Sequence, residues 1–292
     1  YTVTVVPVSN TDKAITKFKF NYYGVSGIIN ESAKTITVYV PQGALLDCFN
    51  DPDYLCNLFA NISIKGKSVV PALGASNVNY TVPVTYTVTA SDNSTQEYVV
   101  TVTAVTNTAT VANPQVAVTG TAVVWVNSGV TNPTLDVGSL VTGGTGTLPQ
   151  ITIVSNLANI AIPASTVVTG DADWNGVLEA PTATTVSLSG ATISNAISIG
   201  VSGETLTFSK AVRMLFPGDK NIRVGFTVNG SNFTEITANC GTDDQTTVDA
   251  LLAGDEDGNC KMNVGDDLVV WTKHFTDYYT YTLGSDVVTT AD

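Results

Sequence analysis

Asp171, Asp173 and Asn175 stand at alternate positions and run into Gly176. Alternating side-chain oxygens followed by a glycine for the sharp turn are what calcium coordination by a loop requires. The pattern stops short of a full loop. Its twelfth position is Thr182 rather than a glutamate, although Glu179 is close by. A turn with exposed carboxylates accounts for the same residues. A second acidic turn, Asp255-Glu256-Asp257-Gly258-Asn259, leads into Cys260. Asp255 and Asp257 are therefore further calcium candidates, or members of a solvated loop. Apart from calcium, no cofactor is implied.

The chain's single histidine opens the tripeptide His274-Phe275-Thr276. A threonine hydroxyl can attack the carbonyl that precedes it, here that of Phe275, when a base is near and the peptide is strained. His274 would be that base. The tripeptide resembles the His-Phe-Ser and His-Leu-Thr sequences of self-cleaving β-domains, found in a nucleoporin and in adhesion-receptor cleavage domains. The same residues also read as an ordinary strand following Trp271. No other nucleophile constellation can be assembled. One histidine leaves no independent Ser-His-Asp set, no G-x-S-x-G elbow occurs, and no phosphate-binding glycine loop is present. The expectation is a protein that is not an enzyme, with His274 and Thr276 the only exception.

The four cysteines form two local pairs, Cys48 with Cys56 and Cys240 with Cys260. An even count without a CxxC favours disulfides in an oxidising compartment. The net charge of -13 and a pI near 4.2 argue against nucleic acid and anionic membranes, which need cationic surfaces. No apolar run is long enough to span a bilayer. There is no initial Met and no signal segment, so the chain is expected to be a processed product or part of something longer. Only 13% of its 292 residues are charged, and the mean hydropathy of +0.21 speaks against disorder.

The elements that must position these residues are strands. Thr and Val abound, and Gly, Asn, Asp and Ser supply turns. Strands are expected at 15–22, 27–30, 35–40, 62–64, 84–89 and 98–105, a spacing that indicates a sandwich. Short turns, clamped by Cys48 and Cys56, are expected at 44–59. Further on, 116–126 reads as one strand and 141–148 as a Gly/Thr loop. More strands are expected at 150–160, 167–178, 182–189, 196–201, 205–213, 221–228, 268–272 and 278–283. The best helix is 243–252, with acidic residues at its start and Gly254 beyond its end. Trp125 and Trp174 read as core or core-edge residues. The fold class is all-β: tandem immunoglobulin-like β-sandwich domains with one or two short helices. The expected domains are 10–106, 107–200 and 201–292, the last being a third unit or the second half of one larger module.

Tyr1–Thr11 (YTVTVVPVSNT) aligns without a gap on Tyr98–Thr108 (YVVTVTAVTNT). Residues 1–9 therefore read as an orphan strand. It is either the end of a preceding repeat, an extra edge on its own domain, or a donor strand for a neighbouring subunit. In the last case Tyr1, Val3, Val5 and Val8 would carry assembly. The pattern ITKFKFN…TITVYVP…PVTYTVTASDNSTQEYVVTVT resembles a repeat of bacterial surface proteins. In that repeat an immunoglobulin-like or cadherin-like sandwich ends in YTVTA-D-ST-YTVTV. The run GETLTFSKAVRMLFPG…VGDDLVVWTKHFT likewise resembles a C-terminal module of large bacterial surface proteins. The resemblance implies an extracellular or cell-surface location.

The function expected first is structural: a subunit of a surface fibre, filament or surface layer that self-associates through β-strand complementation. The alternative is an adhesin or carbohydrate-binding surface module whose ligand is a glycan or another cell-surface group. Exposed aromatics such as Tyr54, Trp174 or Tyr278–Tyr279 would then hold the sugar. The remaining alternative is self-cleavage between Phe275 and Thr276.

Overall fold

A computed structural model describes residues 11–20, 25–42, 58–75, 78–228, 231–255 and 258–284. The expected orphan strand with Tyr1, Val3, Val5 and Val8 lies outside the described residues. So do Cys48, Cys56 and Tyr54 of the expected turns at 44–59, as well as Asp257 and residues 285–292. The fold is all-β, and the chain divides into two compact units at Ala104/Val105.

The first unit is built from β1 (Ala14–Phe20), β2 (Val25–Ser26), β3 (Ile28–Asn30), β4 (Thr35–Pro41), β5 (Ala60–Lys65), β6 (Ser68–Val70), β7 (Val84–Thr89) and β8 (Thr95–Val105). They form two sheets with strand orders β2-β1-β5 and β3-β4-β8-β7-β6. Alternation decides which side chains face inward. In β4, Ile36, Val38 and Val40 are buried while Thr37 and Tyr39 between them are only half-buried. In β1, Phe18 and Phe20 are buried, and Lys17 and Lys19 point the other way. Phe18 meets Tyr86 edge-on at 5.6 Å, and Phe20 meets Tyr80 at 5.0 Å, so aromatic contacts join strands of both sheets. The buried hydroxyls of Tyr80 and Tyr86 satisfy one another at 2.6 Å.

The second unit contains β9 (Asn107–Ala109), β10 (Gln115–Ala117), β11 (Ala122–Val126), β12 (Thr134–Asp136), β13 (Val141–Thr142), β14 (Thr145–Leu148), β15 (Ile151–Val154), β16 (Asn159–Ile162), β17 (Thr166–Thr169), β18 (Val177–Ala183) and β19 (Ala191–Gly200). It continues with β20 (Leu206–Phe216), β21 (Arg223–Val228), β22 (Ser231–Glu235), the helix α1 (Gln245–Leu251), β23 (Asn259–Val264), β24 (Asp267–Phe275) and β25 (Asp277–Leu283). One sheet runs β10-β12-β18-β19-β25-β21-β22. The other runs β13-β14-β17-β20-β16-β15-β11-β9, with β24 paired to β20 and β23 to β24. Leu135, Ile153, Ile160, Leu178, Ile197, Met214, Phe275 and Tyr278 belong to the core formed by residues of both sheets.

This arrangement corrects the expected boundary near residue 200. β20 pairs along one edge with both β16 and β17, and β25 pairs with β19. Neither 107–200 nor 201–292 has a complete sheet without the other, so they are halves of one module. Three element expectations also change. The run 116–126 is two strands in two different sheets, β10 and β11, interrupted at Gly120. The expected loop 141–148 is a hairpin. Gly143 and Gly144 have φ of 55° and 73°, the left-handed pair that a two-residue turn between twisted strands requires. The strand expected at 182–189 ends at Ala183, and the chain pairs again from Ala191.

Helix α1 starts where the sequence supplies its cap. The Asp244 carboxylate accepts from Thr247 N at 2.9 Å and from the Thr247 hydroxyl at 2.9 Å. The helix buries Val248, and the residue after it, Leu252, is buried as well. Both pack with Ala211, Leu215, Val269 and Trp271 on the outer face of β20 and β24. Cys240 and Cys260 are bonded beside this cluster, with Cα atoms 5.1 Å apart.

Candidate functional site

Among the described residues, carboxylate oxygens of Asp171, Asp173 and Glu204 lie within 4.8 Å of one another. Asp171 and Asp173 come from the turn between β17 and β18. The Asp171 carbonyl accepts from Trp174 N at 2.9 Å, which winds the chain so that both aspartates stay on its exposed side. Glu204 comes from the turn between β19 and β20, closed by its N–H on the Val201 carbonyl. Its Oε2 is buried with no hydrogen-bond partner among the described residues. Three carboxylates at this separation repel one another, and oxygen donors of this kind suit a hard divalent cation.

The cluster differs from the calcium set expected from sequence. Asn175 Oδ1 accepts from Val177 N at 3.1 Å and closes its own turn. Glu179 sits within β18, opposite Thr134 and Gly200, and is not in the cluster. Its place is taken by Glu204, which no local spacing indicates. Asp255 lies away from the cluster, in the turn after α1, where its carbonyl accepts from Gly258 N.

The tripeptide His274-Phe275-Thr276 occupies the corner where β24 of one sheet becomes β25 of the other. Only Thr276 separates the two strands. The approach of Gly200 is close here: a Cβ on it would stand 2.8 Å from Phe275 Cβ. His274 is buried, with Nε2 3.0 Å from Asn259 Nδ2 and Nδ1 3.3 Å from the Tyr278 hydroxyl. The Thr276 hydroxyl donates to the Thr227 carbonyl at 2.5 Å. The Thr227 carbonyl that accepts this bond belongs to β21.

Of the aromatics expected to hold a sugar, Tyr54 lies outside the described residues, and Trp174, Tyr278 and Tyr279 are buried. Trp174 is 5% exposed and donates its Nε1 to the Val177 carbonyl at 2.9 Å. Tyr278 is fully buried and Tyr279 is 2% exposed. Burial pushes the Tyr279 hydroxyl above its ordinary pKa, and its bond to Thr227 partly offsets this. Trp125 is buried too, with its Nε1 on Asn127 Oδ1. The period-2 pattern hides this outcome, because β25 is covered on both faces.

The first unit can be compared with known proteins. Residues 15–102 match the family model described as SGBP, N-terminal. The match to this surface glycan-binding family spans β1 to most of β8, roughly a third of the chain. It stands in place of the tandem repeat suggested by YTVTA-D-ST-YTVTV. No curated protein matches the chain. Among the described residues, no helix is long and apolar enough to cross a membrane.

Proposed function

We propose that the chain is a surface glycan-binding protein, displayed at the cell surface or outside the cell. The observation that carries this reading is the match of residues 15–102 to the N-terminal model of the surface glycan-binding family. Within the matched stretch the described residues form two sheets with buried side chains of their own, so the similarity covers a folding unit rather than a motif. An all-β chain rich in Ser, Thr and Asn offers the hydroxyl and amide groups that hydrogen-bond sugars. The strand-complementation reading depends on Tyr1, Val3, Val5 and Val8, and the family match does not favour it. A labelled full-length chain applied to a polysaccharide and glycan array tests the proposal. Saturable retention on at least one glycan is expected. Uniform background across neutral and acidic glycans would refute it.

The proposed ion is calcium, held by Asp171, Asp173 and Glu204. The support is the convergence of three carboxylates, one with a buried oxygen that has no hydrogen-bond partner among the described residues. Trp174 lies in the same turn, so its fluorescence reports the site. A free calcium level about 100-fold above the dissociation constant should add roughly 2.7 kcal/mol to the stability of the second unit. The Asp173→Asn variant should lose that increment. An unchanged melting curve with and without calcium would remove the ion from the account.

A further inference from the structure

The outer face of the β2-β1-β5 sheet is cationic in a chain whose net charge is -13. Lys17 and Lys19 alternate with the buried Phe18 and Phe20, which fixes both lysines on the outer side. The β1–β5 register sets Lys17 opposite Ser63, Lys19 opposite Asn61, and Lys65 opposite Ala14. Lys13 and Lys67 lie just beyond the paired strands and reach instead for the β7–β8 turn of the other sheet. Lys13 Nζ reaches Ser94 Oγ at 2.8 Å and Lys67 Nζ reaches Asn93 Oδ1 at 3.3 Å. The ion pairs among the described residues join Lys34 to Glu31, Arg213 to Asp243, Lys220 to Asp266 and Arg223 to Glu235. None of these pairs involves Lys17, Lys19 or Lys65.

Two ordinary explanations do not cover these lysines as a group. Charges on edge strands prevent sheet-to-sheet aggregation, which accounts for Lys65 on β5, but Lys17 and Lys19 lie on β1, the central strand of its sheet. Surface lysines also raise net charge for solubility, but here they reduce a charge that is already large and negative. What remains is a positive face on which neutral hydrogen-bonding side chains, Asn61 and Ser63, stand beside the charges.

We infer that this face binds an acidic polysaccharide, a glycan carrying uronic acid carboxylates, laid across β1 and β5. The inference rests on the glycan-binding reading and names the ligand class. Charge complementarity supplies the attraction, and the amide and hydroxyl between the lysines suit sugar hydroxyls. The face is built from lysines and contains no arginine. Arginine forks are the better match for phosphate and sulfate, whereas point charges spaced two residues apart along a strand, about 6.8 Å, suit carboxylates separated by sugar rings.

The test uses the full chain and polygalacturonate, with dextran as a neutral probe and heparin, duplex DNA and anionic phosphatidylserine vesicles as other polyanions. The triple variant Lys17→Gln/Lys19→Gln/Lys65→Gln is compared with wild type, with the triple Lys→Arg variant, and with Lys34→Gln as a control from the same unit. Wild type should bind polygalacturonate, and binding should weaken steeply between about 50 and 300 mM salt. The triple Gln variant should bind about tenfold more weakly, the sum of three surface charge contacts. The Arg variant and Lys34→Gln should bind as wild type does. Unchanged circular dichroism melting confirms that the Gln variant is folded. Wild-type affinity in the Gln variant would overturn the inference, as would equal binding of heparin, DNA or vesicles. Binding to neutral glycans without polygalacturonate would overturn it while leaving the glycan-binding reading intact. Binding to no glycan at all would remove both.

Discussion

Replacing Asp243 with Ala should be one of the most damaging single changes in the second unit. Its carboxylate accepts from Arg213 Nε at 2.8 Å and from Arg213 Nη2 at 2.7 Å, a bidentate pair, and from Trp271 Nε1 at 3.0 Å. The two ionic side chains are 10% and 19% exposed, so water can do little to compensate. Removing one partner of a buried ion pair costs about 3–5 kcal/mol. The remaining exposure favours the lower end, and the orphaned indole N–H adds about 1 kcal/mol, giving an expected loss of roughly 4 kcal/mol. The assay is urea unfolding followed by tryptophan fluorescence. All three tryptophans, Trp125, Trp174 and Trp271, lie beyond Ala104, so the signal reports the second unit alone. With an m-value of about 3 kcal/mol/M, the midpoint should fall by more than about 1 M. The double change Arg213→Met with Asp243→Leu removes both charges and should recover most of the loss. A single variant within about 0.3 M of wild type, or a double variant as unstable as the single, would refute the reasoning.

Two further outcomes follow from the same unit. Cys240 and Cys260 are 20 residues apart in sequence, and closing a loop of that length restricts the unfolded chain by about 3 kcal/mol. The Cys240→Ala/Cys260→Ala chain should lose that amount in the same urea assay, and a loss below about 1 kcal/mol would show that α1 and its cluster hold the segment unaided. Burial pushes the Asp219 carboxyl up, and the Thr280 hydroxyl, which donates to it at 2.6 Å, partly offsets this. A carboxyl whose folded pKa exceeds its unfolded one destabilises the fold while it is ionised. That cost is relieved as pH falls through the folded value toward the unfolded one. Asp219→Asn should therefore stabilise the unit at neutral pH and lose this relief at acid pH, measured by melting temperature across the acid range. A variant destabilised at neutral pH would contradict the assignment.

Much of the fold is legible in local patterns. Ile36, Val38 and Val40 alternate in sequence and are all buried, and Asp244 with Thr247 marks the start of α1. The partnership of strands is not legible. Nothing near Arg213 shows that β20 will pair with both β16 and β17, because pairing depends on residues far along the chain. The acidic cluster divides the same way. Asp171 and Asp173 form a readable pair, while Glu204 joins them only through the topology of β19 and β20. Tyr279 reads as a surface aromatic until β25 proves to be an internal strand of its sheet, between β19 and β21. The cationic face escaped notice for a different reason. A net charge of -13 sums over the whole chain and conceals three lysines, Lys17, Lys19 and Lys65, gathered on one small sheet.

Isothermal titration of the full chain with soluble polysaccharides, polygalacturonate and neutral glucans among them, tests the central claim most directly. The account predicts saturable heat with at least one of them and a fixed number of sites per chain. Titrations indistinguishable from dilution across the whole panel would contradict a glycan-binding function.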